Sequence, residues 1–181
     1  MNVSQLKLTK SAIIAIIVAI IVISSVATYR FGVSSLGSEH IHAQYGVIIK
    51  DMKLDFDTEK YPEYLNGDNQ IFLEGNYDYL IHRYAPNADL GRFFGGMEIE
   101  FNSECFVLDK PISDLTETEF CNNENKTLKI FVNNSTNNQF DKYVPMDKDM
   151  ILIIYGNQNN TEIQDMVNEF SKFKHTIILD G

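Results

Sequence analysis

The chain has no tryptophan, only two cysteines, and no acidic residue before Glu39. It also has no GxSxG elbow, HExxH zinc helix, CxxC pair or glycine-rich phosphate loop. Those absences remove the usual residue patterns for acyl transfer, zinc proteolysis, thiol exchange and nucleotide binding. Gly95-Gly96 reads as a helix stop, not as a phosphate cradle. Glu98 and Glu100 alternate on a solvent face, where nothing shifts a carboxyl toward acid–base work. The sequence names no reaction, so the chain reads as a binding or interaction module and not as an enzyme.

What is present begins with an apolar run. Ser11 to Thr28 carries no charge, glycine or proline. As a helix it would extend about 27 Å, the short end of a membrane span. Lys7 and Lys10 precede it and Arg30 alone follows closely, which favours a cytoplasmic N-terminus. The expected organisation is a cytoplasmic tail (1–10), a transmembrane signal-anchor (11–28), a Gly/Ser-rich linker (29–39) and an extracytoplasmic domain (40–181). A cleavable signal peptide is the competing reading, with small Ser25 and Ala27 before Thr28. Either route exports the domain, to be held at the cell membrane by the anchor or secreted after cleavage.

The exported part is acidic. The chain's formal charge is −10, and both lysines of the first 29 residues lie on the other side of the anchor. Such a surface repels nucleic acid and attracts cations or basic partners. Cys105 and Cys121 are too far apart for a redox motif, and outside the cytoplasm they are expected to form a disulfide. Four Asn-x-Ser/Thr sequons, at Asn125, Asn133, Asn134 and Asn159, are candidate glycan acceptors in such a compartment.

Nine tyrosines and twelve phenylalanines, with recurrent Val and Ile, favour strands. Tyr45, Val47 and Ile49 alternate, Asp51-Met52 turns, and Leu54 and Phe56 alternate again. Ile71–Leu73 and Tyr79–Tyr84 form a second hairpin around Gly75-Asn76. Asp89 caps a short helix ending at Gly95-Gly96. Met97–Phe101 is a half-buried strand that Cys105–Leu108 continues, and Lys110–Asn125 is a polar loop. Leu128–Val132 is a strand and Asn133–Asn138 a turn. Met150–Tyr155 is apolar throughout, as a strand buried on both faces would be. Thr161 and Gln164 fit a capping box for a helix to about Lys174, and Thr176–Leu179 reads as an edge strand. The expected class is α+β, mainly β: a β-grasp-like mixed sheet with one short and one longer helix.

Glu39-His-Ile-His-Ala43 and Leu54-Asp-Phe-Asp-Thr-Glu-Lys-Tyr61 resemble the start of the exported domain in a family of small single-anchor archaeal proteins, frequent in ammonia-oxidising archaea. The resemblance continues through Ile81-His82, Leu90-Gly-Arg-Phe-Phe94, the cysteine pair, Glu124–Lys129 and Ile151–Gly156. It implies a metal-binding or sensing exported module. Where that family carries a second set of His-x-His pairs, this chain has Phe72-Leu-Glu74 and His82-Arg-Tyr84.

The residues themselves single out His40 and His42. Two residues apart in extended chain, they point to one face. His82, on the face of its strand shared with Leu80 and Tyr84, is the candidate third ligand if the two hairpins adjoin, with Glu39 or Glu74 as an oxygen donor. Imidazole donors suit copper or zinc. His175 stands alone. The alternatives to a metal-binding module are a structural accessory subunit, whose anchor pairs with other membrane or cell-surface proteins, and an exported thiol-redox protein built on Cys105 and Cys121.

Overall fold

A computed structural model describes residues 40–56, 70–74, 77–112 and 114–172. The chain divides into two units, Met1–Gly37 and Ser38–Gly181, and every described residue lies in the second. The apolar run, the linker with Glu39, the Tyr61–Leu65 stretch, His175 and the expected strand at Thr176–Leu179 all lie outside the described residues. Among those that are described, no helix is long and apolar enough to cross a membrane.

The domain is α+β and mainly β. Its principal sheet is built from β1 (Ile41–Ile49), β2 (Met52–Lys53), β3 (Ile71–Glu74), β4 (Tyr77–Arg83), β8 (Thr127–Val132), β9 (Ser135–Asn137) and β10 (Met150–Gly156). The order is β3-β4-β1-β10-β8-β9, with β2 also on β1. β1 and β10 run parallel at the centre, from Gln44 opposite Met150 to Ile49 opposite Tyr155, and the other pairings are antiparallel. On its other edge β1 pairs with β4 at Ile41–Gln44 and with β2 at Ile48–Ile49. β10 is buried at every residue, as its unbroken apolar run requires.

Alternation along β1 splits the sheet into two chemically different faces. Ile41, Ala43, Tyr45, Val47 and Ile49 join Ile81, Ile151, Ile153, Leu128 and Ile130 in the larger core. Against that face pack helix α1 (Leu90–Gly96) and a small sheet of β5 (Glu100–Phe101), β6 (Cys105–Val107) and β7 (Glu119–Cys121). They contribute Phe93, Phe94, Phe101, Phe106 and Phe120, stacked edge-to-face where Phe94 meets Phe93, Phe101 and Phe106. Burying each such ring is worth about 1.5–3 kcal/mol. On the opposite face helix α2 (Asn160–Lys172) lays Ile163 and Val167, flanked by Met166 and Phe170, over Leu152 and Ile154.

Several local expectations need correction. The first turn is Lys50-Asp51, one residue earlier than Asp51-Met52, and both residues have positive φ (51° and 71°). Two left-handed residues match the twist of a two-residue hairpin, so the ladder resumes at Met52. Asn133-Asn134 does the same (50° and 67°), and Ser135–Asn137 is therefore strand, not turn. Asparagine tolerates this backbone region better than most residues.

Cys105 does not continue the preceding strand. The chain folds back at Asn102–Glu104, where the Asn102 side chain accepts from the Glu104 and Cys105 N–H groups, and β6 returns antiparallel to β5. The polar loop expected from Lys110 to Asn125 contains β7. Gly95 and Gly96 are the last turn of α1, not a left-handed stop beyond it, and the cap is Met97. Asp89 does cap that helix, accepting from the Arg92 N–H at 2.9 Å.

The capping box of α2 is Asn159 with Glu162, in place of Thr161 with Gln164. The Asn159 side chain accepts from the Thr161 and Glu162 N–H groups, and the Glu162 carboxylate accepts from the Asn159 N–H. Asparagine is the stronger cap, and it sits two residues upstream.

Candidate metal centre

The sheet register brings the three histidines together. His42 in β1 lies directly opposite His82 in β4, and His40 is the residue just before β1. The period of two places His40 and His42 on one face, away from the large core. The ring centroids are 4.0 Å apart for His42 and His82, 4.7 Å for His40 and His42, and 4.8 Å for His40 and His82. One ligand nitrogen from each lies within 4.8 Å of the others, and no described Asp, Glu or Cys joins the set.

The closeness of His42 and His82 has a backbone cause. The His42 carbonyl accepts from the Lys148 N–H at 2.7 Å, and its N–H donates to the Asp147 carboxylate at 3.2 Å. Both groups of His42 therefore point toward the turn before β10 and away from β4. His42 and His82 form the non-hydrogen-bonded kind of antiparallel pair, in which side chains approach most closely.

That turn is fixed by Asp149, which is 5% exposed. Its carboxylate accepts from the Asn133 side-chain amide (2.7 Å), the Tyr143 hydroxyl (2.5 Å) and the Met146 N–H (2.7 Å). Its carbonyl accepts from the Gln44 N–H at 2.8 Å. Burial, then the hydrogen bond to Asp149 and its charge, push the Tyr143 hydroxyl well above the ordinary tyrosine range. On the core side of β4, Arg83 is 1% exposed and donates to the Pro145 and Ala85 carbonyls, tying the same turn to the strand that carries His82.

Aromatic rings complete the cluster. Tyr84 stacks on His40 at 4.8 Å with the planes 7° apart. Phe72, opposite His82 in β3, meets His82 edge-on at 5.8 Å and stacks on Tyr84 at 5.9 Å. Glu74 and Tyr84 stand where the resemblance to the archaeal family leads one to expect histidine. Of the other candidate donors, Glu39 lies outside the described residues. Glu74 ends β3 opposite Tyr77, where the register shifts.

Three imidazoles without a described carboxylate form a donor set suited to zinc or copper, and unsuited to magnesium or calcium. Two nitrogens at ~2.0–2.1 Å from one tetrahedral ion stand about 3.3 Å apart.

The sulfurs of Cys105 and Cys121 are bonded at 2.07 Å, joining residues that are directly opposed in β6 and β7. This too is a non-hydrogen-bonded pair, because the neighbouring Glu104 carbonyl takes the Asn122 N–H. The sequons fall at different kinds of place. Asn125 is exposed before β8, with its N–H bonded to the Asn123 side chain. Asn134 is at a hairpin tip and Asn159 caps α2. Asn133 commits its side-chain amide to Asp149 and its side-chain carbonyl to the Met150 N–H, in a structural role.

Sequence reasoning missed Asp147, Lys148 and Asp149 as the support of His42, and Arg83 as a buried arginine. The Asp-Lys-Asp turn directly before the most apolar strand was the available signal for the first of these. No protein-family model matches the chain, and neither a curated protein nor a solved structure similar to it is found.

Proposed function

We propose that this chain is a membrane-anchored extracytoplasmic binding module that holds one copper or zinc ion through His40, His42 and His82. The observation that carries the reading is the convergence of the three imidazole nitrogens within 4.8 Å. They come from two strands that are neighbours only through the sheet. The pre-set backbone of His42 and the ring stacked on His40 lower the ordering cost of binding, which favours a site over an incidental cluster. The anchor reading rests on the apolar run at 11–28 with lysines before it. The β-grasp-like description rests on the order β2-β1-β10-β8-β9 with parallel central strands.

Calorimetric titration of the full chain in detergent with Zn²⁺ and with Cu²⁺ tests the ligand part. The expected result is one ion per chain, with affinity at least tenfold lower in His42→Ala and in His82→Ala. Equal affinity in those variants overturns it. A protease-protection assay on membrane vesicles reads the side on which residues 40–181 lie. Digestion from the cytoplasmic side overturns the topology.

A further inference from the structure

Resting on that reading, we infer that the ion keeps one coordination position open to solvent, and that this position takes a water or a small exchangeable anion. The three ligands are graded in exposure across the cluster. His82 is 9% exposed, His42 is half-buried and His40 is exposed. An ion between them has the sheet behind it on the His82 side and solvent on the His40 side. Among the described residues, the rings beside the cluster supply no fourth donor. Phe72 offers no donor, and Tyr84 lies flat against His40, only 7° from parallel, as a stacking partner.

The charge argues the same way. Three neutral imidazoles leave both positive charges of a divalent ion uncompensated, and no described carboxylate or thiolate belongs to the set. Both cysteines are consumed in the disulfide of the small sheet. A divalent ion with three nitrogen ligands and a free tetrahedral position binds water as hydroxide more readily than bulk solution does, and it binds anions in competition with that water. Such a centre exchanges a ligand, whereas a closed four-ligand site only holds a fold together.

Cobalt(II), visible in its d–d absorption where zinc is silent, reads the open position directly. The full chain in detergent is loaded with Co²⁺, bound metal is counted by equilibrium dialysis, and sodium azide is titrated in. The expected result is one bound Co²⁺ with a saturable azide-dependent change in the visible bands, and no such change at matched protein concentration in His82→Ala. One bound Co²⁺ with a spectrum indifferent to azide overturns the inference, because a fourth protein donor then fills the position. Glu39→Gln and Glu74→Gln identify that donor if either restores the azide response. Absence of bound Co²⁺, Zn²⁺ and Cu²⁺ alike overturns the metal reading itself, and this inference with it.

Discussion

His42 and His82 face each other across β1 and β4 with their rings 4.0 Å apart, in a register pair whose backbone bonds point away from each other. The pair is set by main-chain geometry, so it exists before any ion arrives. Shifting the register by one residue would send one ring into the large core and leave the other outside.

The stack of Tyr84 on His40 gives the first prediction. The exposed histidine needs something to hold its ring, and the flat contact supplies it. Tyr84→Phe keeps the stacking face and is expected to bind Zn²⁺ within about twofold of the parent. Tyr84→Ala is expected to lose on the order of tenfold, in line with loss of a group that orients a ligand. Titration calorimetry of the two variants separates stacking from any role of the hydroxyl. Equal loss in both would show that the hydroxyl matters.

Asp149 holds the turn that grips His42. Asp149→Ala leaves the Tyr143 hydroxyl, the Asn133 amide and the Met146 N–H without their shared acceptor. A cost of about 3 kcal/mol is expected for loss of a buried charged acceptor. Thermal unfolding should show a fall in Tm of roughly 10 °C. Zn²⁺ affinity measured well below the new Tm should fall as well, because the Lys148 bond to His42 loses its support.

Tyr143 makes the domain sensitive to alkali. Its pKa is raised in the folded state, so the folded domain holds this proton more tightly than the unfolded chain. The associated stability is fully present below the ordinary tyrosine pKa, near pH 10, and is lost as pH rises from there through the higher folded value. Chemical denaturation from pH 8 to 11 is expected to show falling stability above about pH 10. In Tyr143→Phe that slope should flatten and the stability at pH 8 should be lower.

The disulfide closes a segment with a sequence separation of 16. Replacing both cysteines by serine is expected to cost about 3 kcal/mol in the chain-entropy model. The small sheet meets the principal sheet through Phe106 and Phe120 and carries no histidine of the cluster. Zn²⁺ affinity at 25 °C should therefore change by less than threefold, which titration of the double variant checks.

Gly46 lies on the helix-covered face of β1, where an added Cβ would come within 2.8 Å of the Phe170 ring. Gly46→Ala is expected to destabilise by about 1–3 kcal/mol through overpacking, and Phe170→Leu in the same chain should recover part of the loss. A double-mutant cycle by urea denaturation measures the coupling. Additive effects would place the clash elsewhere.

Much of this domain is written locally. The apolar run at Met150–Tyr155 marks the central strand, because only a position covered on both faces hides six apolar residues in succession. The spacing of His40 and His42 fixes their common face through the period of two. The helix at Leu90 is announced by Asp89 as its cap. Other elements were illegible for physical reasons. β7 and β9 are three residues each, too short to show a period of two, and they exist because a hairpin partner fixes them. The true cap of α2 competes with a second plausible one two residues away, and only side-chain hydrogen bonds choose between them.

Sequence alone therefore determined the α+β composition, the two-sided burial of the central strand and the pairing of His40 with His42, since each follows from local periodicity and side-chain chemistry. Tertiary structure decided that His82 joins them and that Tyr84 stacks on His40. It also decided that Asp147, Lys148 and Asp149, more than a hundred residues on from His42, hold the backbone that aims its ring. Those relations depend on strand order and register, which non-local hydrogen bonding and burial select, and no local stretch of sequence carries them.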